Sequence, residues 1–372
     1  MIPYGRQFLD RNDKNEVLRV LSSDWLTQGP EVFAFEQRLC KYTGAKYAVA
    51  VSSGTAALHI AYLAAGIGPG DEVITTPNTF VATSNMILAV GAKPIFCDIN
   101  IKDFNIDDSK IESLINKRTQ AIVPVDFAGR PCVYKNILKI AKKYNLLIIE
   151  DACHALGAEY GSKKVGNIAN MTVFSFHPVK SITTGEGGAV LTNDKLFFGK
   201  LKLLRSHGVT KDKIGFNVMK SFGYNYRISD IQCGLGLSQM RKLDKFIARR
   251  SKLVSLYRKH LGHNSFIVLP VEDEQFIKSA NHLFVIRVKD KKYRMPLYNF
   301  LKDNGVGVNF HYPPIYSHPF YKRSGFNGAN CEAATTYGKT AITLPLYYSL
   351  KSSDIAYISE KISDFFATQI SY

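Results

Sequence analysis

One segment, Phe174-Ser-Phe-His-Pro-Val-Lys180-Ser-Ile-Thr-Thr-Gly-Glu-Gly-Gly188, runs from an apolar, strand-like stretch into a Gly-rich turn. Lys180 would then stand in a loop at the carboxyl end of a strand. An amine there can form an imine with a carbonyl cofactor, which requires it to be neutral and held close to its partner. Taken alone, Lys180 also reads as a solvated loop lysine. Upstream, Leu146-Leu-Ile-Ile-Glu150-Asp151-Ala-Cys-His154 is an apolar run that ends in two carboxylates. Asp151, at the tip, could keep the ring nitrogen of a pyridine cofactor protonated so that the ring accepts carbanion electrons. It could equally cap the following turn. His154 could border such a ring or be a hydrogen-bonded core histidine.

Val51-Ser52-Ser53-Gly54-Thr55 leads from an apolar run into a helical pattern. Free amides, a hydroxyl and the positive end of a helix at one place make a phosphate site, and Gly54 permits close approach of the backbone. Many helices begin this way and bind nothing. Phe80, in Thr76-Pro-Asn-Thr-Phe-Val-Ala-Thr83, could stack on a ring or belong to the core, and Ser175 and Asn225 are further polar candidates. The chain has no Walker A sequence, no G-x-G-x-x-G after its first strand, no metal-ligand spacing and no G-x-S-x-G elbow.

These residues need a scaffold that sets them along one edge. Strands are expected at 47–51, 72–75, 94–98, 121–126, 146–151, 171–176 and 188–192, with helices at 55–65, 79–90, 109–116 and 134–144 between them. Such alternation implies an α/β fold with a mostly parallel sheet covered by helices on both faces. Ligands then lie beyond the carboxyl ends of the strands, where the candidates fall. A long charged helix over 229–261 leads toward further strands at 282–288 and 306–310 and helices at 293–304 and 353–367. Two units follow: residues 1–245, N-terminal arm included, and a smaller α+β unit over 246–372.

A length of 372 residues suits roughly two domains. With 46% hydrophobic and 21% charged residues, the composition is that of a folded globular chain. The net charge of +17 fits an anionic partner: nucleic acid, a membrane surface or a small anionic substrate. The basic residues are scattered rather than gathered into one arm, which argues against nucleic acid. Six dispersed cysteines without a C-x-x-C pair suggest reduced thiols in a cytoplasmic protein. The start, MIPYGRQFLDRNDKNE, lacks the apolar core of a signal peptide. The uncharged stretch Tyr47–Gly70 is broken by Ser52-Ser-Gly-Thr55 into a strand and a helix, so no membrane span is expected.

In their order and spacing, the phosphate loop, the aromatic, the strand-end Asp, Ser175-x-x-x-x-Lys180 and the Gly-rich turn resemble the DegT/DnrJ/EryC1/StrS sugar aminotransferases. The resemblance runs from Leu26-Thr-Gln-Gly29 through His311-Tyr-Pro-Pro-Ile-Tyr316. It implies the fold of type I pyridoxal-phosphate transferases, with pyridoxal 5′-phosphate as cofactor. By it, Lys180 carries the cofactor as an imine and moves protons, Asp151 pairs with the pyridine nitrogen, and Phe80 stacks on the ring. His154 borders the ring's 3′-oxygen, and Gly54, Thr55 and Ser175 hold the phosphate. Homodimers with shared sites are usual in the family, and Asn225 matches the residue that crosses to the partner. Tyr4, Trp25, Leu26, Thr27, Arg227, His311 and Tyr312 match the place of the nucleotide-sugar.

Asp151-Ala-Cys-His-Ala-Leu-Gly157, Arg205-Ser-His-Gly208 and Gly223-Tyr-Asn-Tyr-Arg-Ile-Ser-Asp230 resemble the branch of the family in the pseudaminic acid pathway. That branch implies L-glutamate as donor and C4 of a UDP-2-acetamido-2,6-dideoxy-hexos-4-ulose as acceptor. The product is UDP-4-amino-4,6-dideoxy-N-acetyl-β-L-altrosamine. Ser52-Ser-Gly-Thr55 and Thr184-Gly-Glu-Gly187 instead follow the broad family pattern. Lysine at 180, where relatives that remove a sugar hydroxyl carry histidine, favours amino transfer. The rivals are a transaminase for a bacillosamine-, perosamine- or aminoarabinose-type keto-sugar, and a cofactor-binding regulator without turnover.

Overall fold

The computed structural model describes residues 1–326, 328 and 330–370. Its centre is a seven-stranded sheet made of β1 (Tyr47–Val51), β2 (Glu72–Thr75), β3 (Lys93–Phe96), β4 (Thr119–Val123), β5 (Leu147–Asp151), β6 (Met171–Ser175) and β7 (Gly188–Thr192). The strand order is β1-β7-β6-β5-β4-β2-β3. Pairing is parallel from β3 through β6, and β7 runs antiparallel to both β6 and β1. The carboxyl ends of β1, β4, β5 and β6 therefore open on one edge. This is the mostly parallel sheet that the alternation of elements predicts.

Both faces of the sheet are covered, and the alternation of side chains along each strand shows how. Val49, Val51, Val73, Val123, Ile149 and Val173 point to α3 (Gly54–Ala64), itself apolar nearly all round. Ala48, Ala50, Phe174, Ala189 and Leu191 face the opposite way, onto α2 (Pro30–Thr43) and α7 (Asp230–Met240). Ile74, Ile122 and Ile148 meet Ile137 and Ile140 of α5 (Tyr134–Tyr144). The period of two thus sends Asp151 to the α3 side with Ile149 and Glu150 to the α5 side with Ile148.

Other expected elements differ. The stretch 109–116 forms only the short 3-10 turn Glu112–Leu114. Asp107 takes the Ser109 amide and hydroxyl, and Lys110 is drawn to Asp98, which spends this segment's polar groups outside a helix. The long helix over 229–261 is two: α7, and α8 (Leu243–Leu261). At the break, Arg241 and Lys242 turn to Glu16 and Asp13 on α1 (Arg11–Leu21). The stretch 306–310 is no strand but makes single bridges, Val306 to Ile2 and Asn309 to Thr343.

Leu243 at the start of α8 packs into the core of the larger unit, and Leu253, Tyr257 and Leu261 pack into a second core. That second core holds β8 (Phe284–Val288), β9 (Ala341–Leu344), α9 (Arg294–Asp303) and α10 (Ser352–Ile370). The arm at the N-terminus lies against this second core, with Ile2 packed on it. Ile2 exchanges backbone hydrogen bonds with Gly305 and Gly307, which are 2.8 and 2.7 Å long. No helix among the described residues is long and apolar enough to cross a membrane, and the stretch Tyr47–Gly70 holds β1 and α3.

Candidate active site

Where β1 gives way to α3, Ser53 caps the helix by accepting from the Ala56 amide at 3.1 Å. Ahead of that, the amides of Gly54 and Thr55 have no acceptor among the described residues and stand at the positive end of the helix. Gly54 is packed so closely that a Cβ there would lie 2.9 Å from Ser175 Cβ, at the end of β6, and 3.4 Å from Cys153 Sγ. Gly188, which opens β7 opposite Ser175, leaves even less room: a Cβ would lie 2.5 Å from the Ser53 carbonyl oxygen. Free amides, a serine hydroxyl and no side chain in the way form a cradle for a phosphate.

Asp151 ends β5 on the same side. Its Oδ2 accepts from Thr83 Oγ1 at 2.6 Å, and its Oδ1 accepts from the Cys153 amide at 3.2 Å. The Thr79 and Thr83 hydroxyls lie 2.7 Å apart. Since Thr83 spends its hydrogen on Asp151, Thr79 must donate to Thr83. The carboxylate is fixed by this chain of hydroxyls from α4 (Ala82–Ala89) and the loop before it.

Lys180 lies in the loop between β6 and β7, its amide bonded to the His177 carbonyl at 2.9 Å. Its amine makes no ion pair or hydrogen bond among the described residues. Burial holds it below the ordinary lysine value, with Cys153 and Asp151 pulling the other way. Burial, then Lys180, likewise pushes His311 down to about 4. His154 is held neutral by burial, Lys180 and His311. His154 Nε2 meets Tyr312 Oη at 3.2 Å, and His311 Nδ1 meets Thr343 Oγ1 at 2.9 Å.

All of this lines one cavity of about 490 Å³. The cavity joins Tyr4, Gly54, Thr55, Phe80, Asp151, His154, Ser175, Lys180, His311 and Tyr312 from widely separated parts of the chain. Phe80, 56% exposed, stands over the opening, its ring 6.0 Å from that of Tyr312. Trp25, Leu26, Thr27, Arg227 and Asn225 lie outside this cavity. Trp25 and Leu26 are exposed. Thr27 bridges Ser229, Asn225 bridges Ser206, and Arg227 borders a second cavity beside α2 and α6 (Lys195–Arg205). The sequence reading missed Thr83, Cys153, His177 and His282 on the wall. Thr83 stands one helical turn after Thr79, a spacing that puts two hydroxyls on one face; nothing near His282 marks it.

A cavity with a phosphate cradle at one end, an anchored carboxylate and an unpartnered, half-buried amine fits pyridoxal phosphate. The fit rests on the donors present: orphaned amides for the phosphate, a carboxylate for the ring nitrogen, an amine for the aldehyde.

Comparison with known proteins agrees. A model described as the DegT/DnrJ/EryC1/StrS aminotransferase family matches residues 7–363. The chain is 40% identical over 368 residues to the UDP-4-amino-4,6-dideoxy-N-acetyl-beta-L-altrosamine transaminase of Campylobacter jejuni, covering 97% of this chain and 96% of that one. Among solved structures, Helicobacter pylori PseC, an aminotransferase involved in the biosynthesis of pseudoaminic acid, has a TM-score of 0.93 at 38% identity over 99% of both chains. A putative sugar aminotransferase from Streptococcus pneumoniae, solved in its PLP form, has a TM-score of 0.91 at 31% identity, over 96% of this chain and 97% of that one.

Proposed function

The chain belongs to the DegT/DnrJ/EryC1/StrS aminotransferase family, whose members depend on pyridoxal phosphate, and from that membership we propose the reaction it runs. It moves the amino group of L-glutamate to C4 of a UDP-2-acetamido-2,6-dideoxy-hexos-4-ulose. The product is UDP-4-amino-4,6-dideoxy-N-acetyl-β-L-altrosamine. The names of the Campylobacter and Helicobacter relatives support the choice of sugar. The observation that carries the chemistry is the Lys180 amine, free of partners among the described residues and made less basic by burial, in one cavity with Asp151.

Pyridoxal phosphate, when bound, supplies a carbonyl that takes up the amino group and a ring that accepts the electron pair released at the donor's α carbon. The amides of Gly54 and Thr55 and the Ser175 hydroxyl would hold its phosphate, and Asp151, steadied by Thr83, its ring nitrogen. Phe80 and His154 would flank the ring. Lys180 Nζ takes a proton from the α carbon of glutamate and, in the second half-reaction, delivers one to C4 of the sugar. It can do so because burial leaves more of the amine unprotonated near neutral pH than an exposed lysine would have. The excess of positive charge favours capture of a dicarboxylate donor and a diphosphate acceptor.

We place Asn225, Trp25, Leu26, Thr27 and Arg227, which miss this cavity, at the junction with a second copy in a homodimer, and the enzyme in the cytoplasm. Product identification by NMR after incubation with the UDP-keto-sugar, glutamate and pyridoxal phosphate tests the choice of sugar. A different configuration at C4 or C5 would move it to a bacillosamine-, perosamine- or aminoarabinose-type route.

A further inference from the structure

Two hydrogens on the cavity wall have no taker among the described residues, and their neighbours fix where they are. His154 Nδ1 faces the Ala128 amide, which can only donate, at 3.3 Å. A neutral imidazole carries one N–H, so the hydrogen of His154 lies on Nε2 and is donated to Tyr312 Oη. Tyr312 accepts there and keeps its own hydrogen, for which the described residues offer no acceptor.

His282 stacks beside His154, with ring centroids 4.4 Å apart, and is only 3% exposed. Its Nδ1 is enclosed without any partner. Its Nε2 has no partner among the described residues either, but it is not enclosed, and the ring lines the cavity. An enclosed N–H without an acceptor is rarer and costlier than an enclosed lone pair. The hydrogen therefore sits on Nε2 and points into the cavity. Burial and the groups facing the ring, namely His154, Lys180, Arg250 and His311, all disfavour a second proton.

We propose that His282 Nε2–H and Tyr312 Oη–H are a pair of neutral donors that takes one anionic oxygen of a ligand in this cavity. The inference rests on the aminotransferase reading. The oxygen has two sources there: the phenolic oxygen of pyridoxal phosphate, or a carboxylate of the amino donor. A carboxylate would need such a pair, because no arginine lines the cavity among the described residues and Lys180 must stay free to carry protons.

The test compares the full-length wild type with His282→Leu, with His282→Gln, which keeps an N–H near Nε2, and with Tyr312→Phe. Apoprotein is titrated with pyridoxal phosphate by fluorescence, and holoenzyme with L-glutamate by absorbance. His282→Leu and Tyr312→Phe should weaken one of these titrations by roughly tenfold or more, and His282→Gln should recover most of the loss. A loss of cofactor affinity identifies the phenolic oxygen as the occupant, and a loss confined to the glutamate titration identifies the carboxylate. Unchanged titrations in both variants overturn the proposal. So does nitrogen-15 NMR of the wild type that finds the His282 hydrogen on Nδ1. A wild type that binds no pyridoxal phosphate defeats the aminotransferase reading instead, and the NMR result still decides where the hydrogen is.

Discussion

Gly54→Ala adds one methyl group at the phosphate cradle, and the structure sets what that must do. The new Cβ would stand 2.9 Å from Ser175 Cβ and 3.2 Å from Ser175 Oγ. Carbon atoms settle at about 3.5 Å or more, so Ser175 or the start of α3 must retreat by about 0.6 Å. Ser175 Cβ is fixed to the end of β6, which pairs with Gly188, so rotation of the hydroxyl gives no relief. Overpacking of this kind costs about 1–3 kcal/mol, and alanine in a helical conformation returns about 0.5–1 kcal/mol of that. Fold stability should therefore fall by no more than about 2.5 kcal/mol. Cofactor affinity should fall further, because both displaced elements face the phosphate. Losing one hydrogen bond to a charged group is about 1.5–3 kcal/mol, or about ten- to a hundredfold in the dissociation constant. Titration of apoprotein with pyridoxal phosphate, beside a thermal melt, separates the two effects. Ser175→Ala keeps the offending Cβ and should not rescue Gly54→Ala, whereas Ser175→Gly should relieve the collision, less the contribution of the hydroxyl. A Gly54→Ala protein that melts lower but binds the cofactor as tightly as the wild type would refute the cradle.

Two more outcomes follow from the strand end at 150–151. Thr83→Val removes the donor 2.6 Å from Asp151 Oδ2 at nearly constant volume, and turnover should fall about tenfold while Thr83→Ser retains it; equal rates in steady-state kinetics for Val and wild type would count against the hydroxyl chain. On the α5 side, Asp126 Oδ2 and Glu150 Oε1 are both buried without a partner among the described residues, as two carboxyls are when one proton must lie between them. Burial raises both above the ordinary carboxyl range, and the charge of Glu150 adds to the rise at Asp126. The folded protein then holds a proton that the unfolded chain loses above roughly pH 4–4.5, so stability is fullest below that range and declines as pH rises through the folded values. Asp126→Asn supplies the shared hydrogen covalently. Its urea unfolding should depend less on pH above about 4.5 than that of the wild type, roughly matching the loss of one linked proton; an unchanged slope would show that no proton is shared.

The sheet was legible in sequence because each strand is a short apolar run next to a helical pattern, and β1, β2 and β7 fall where those runs lie. What failed depends on partners far along the chain. Nothing in residues 229–261 alone announces that Arg241 and Lys242 will turn to carboxylates on α1, more than 220 positions away. The segment 306–310 has the apolar alternation of a strand, but its neighbours are a terminal arm and one residue of β9. In the site, Lys180, Asp151 and Gly54 were marked by their place after strands. Thr83 touches Asp151 and His282 stacks on His154, and such contacts exist only once the chain is folded. Trp25, Leu26, Thr27 and Arg227 fall outside the cavity of this chain, which nothing in their own sequence announces, whereas Asn225, also outside it, was expected to cross to a partner.

The central claim is that Lys180 serves both half-reactions. Its most direct test is the visible spectrum of the holoenzyme, followed first with L-glutamate and then with the UDP-keto-sugar. The account predicts that the absorbance of bound pyridoxal phosphate is lost with glutamate and restored by the keto-sugar, and that Lys180→Ala shows neither change at a comparable rate. An absorbance that glutamate leaves untouched, or a Lys180→Ala protein that completes the cycle as fast as the wild type, would contradict it.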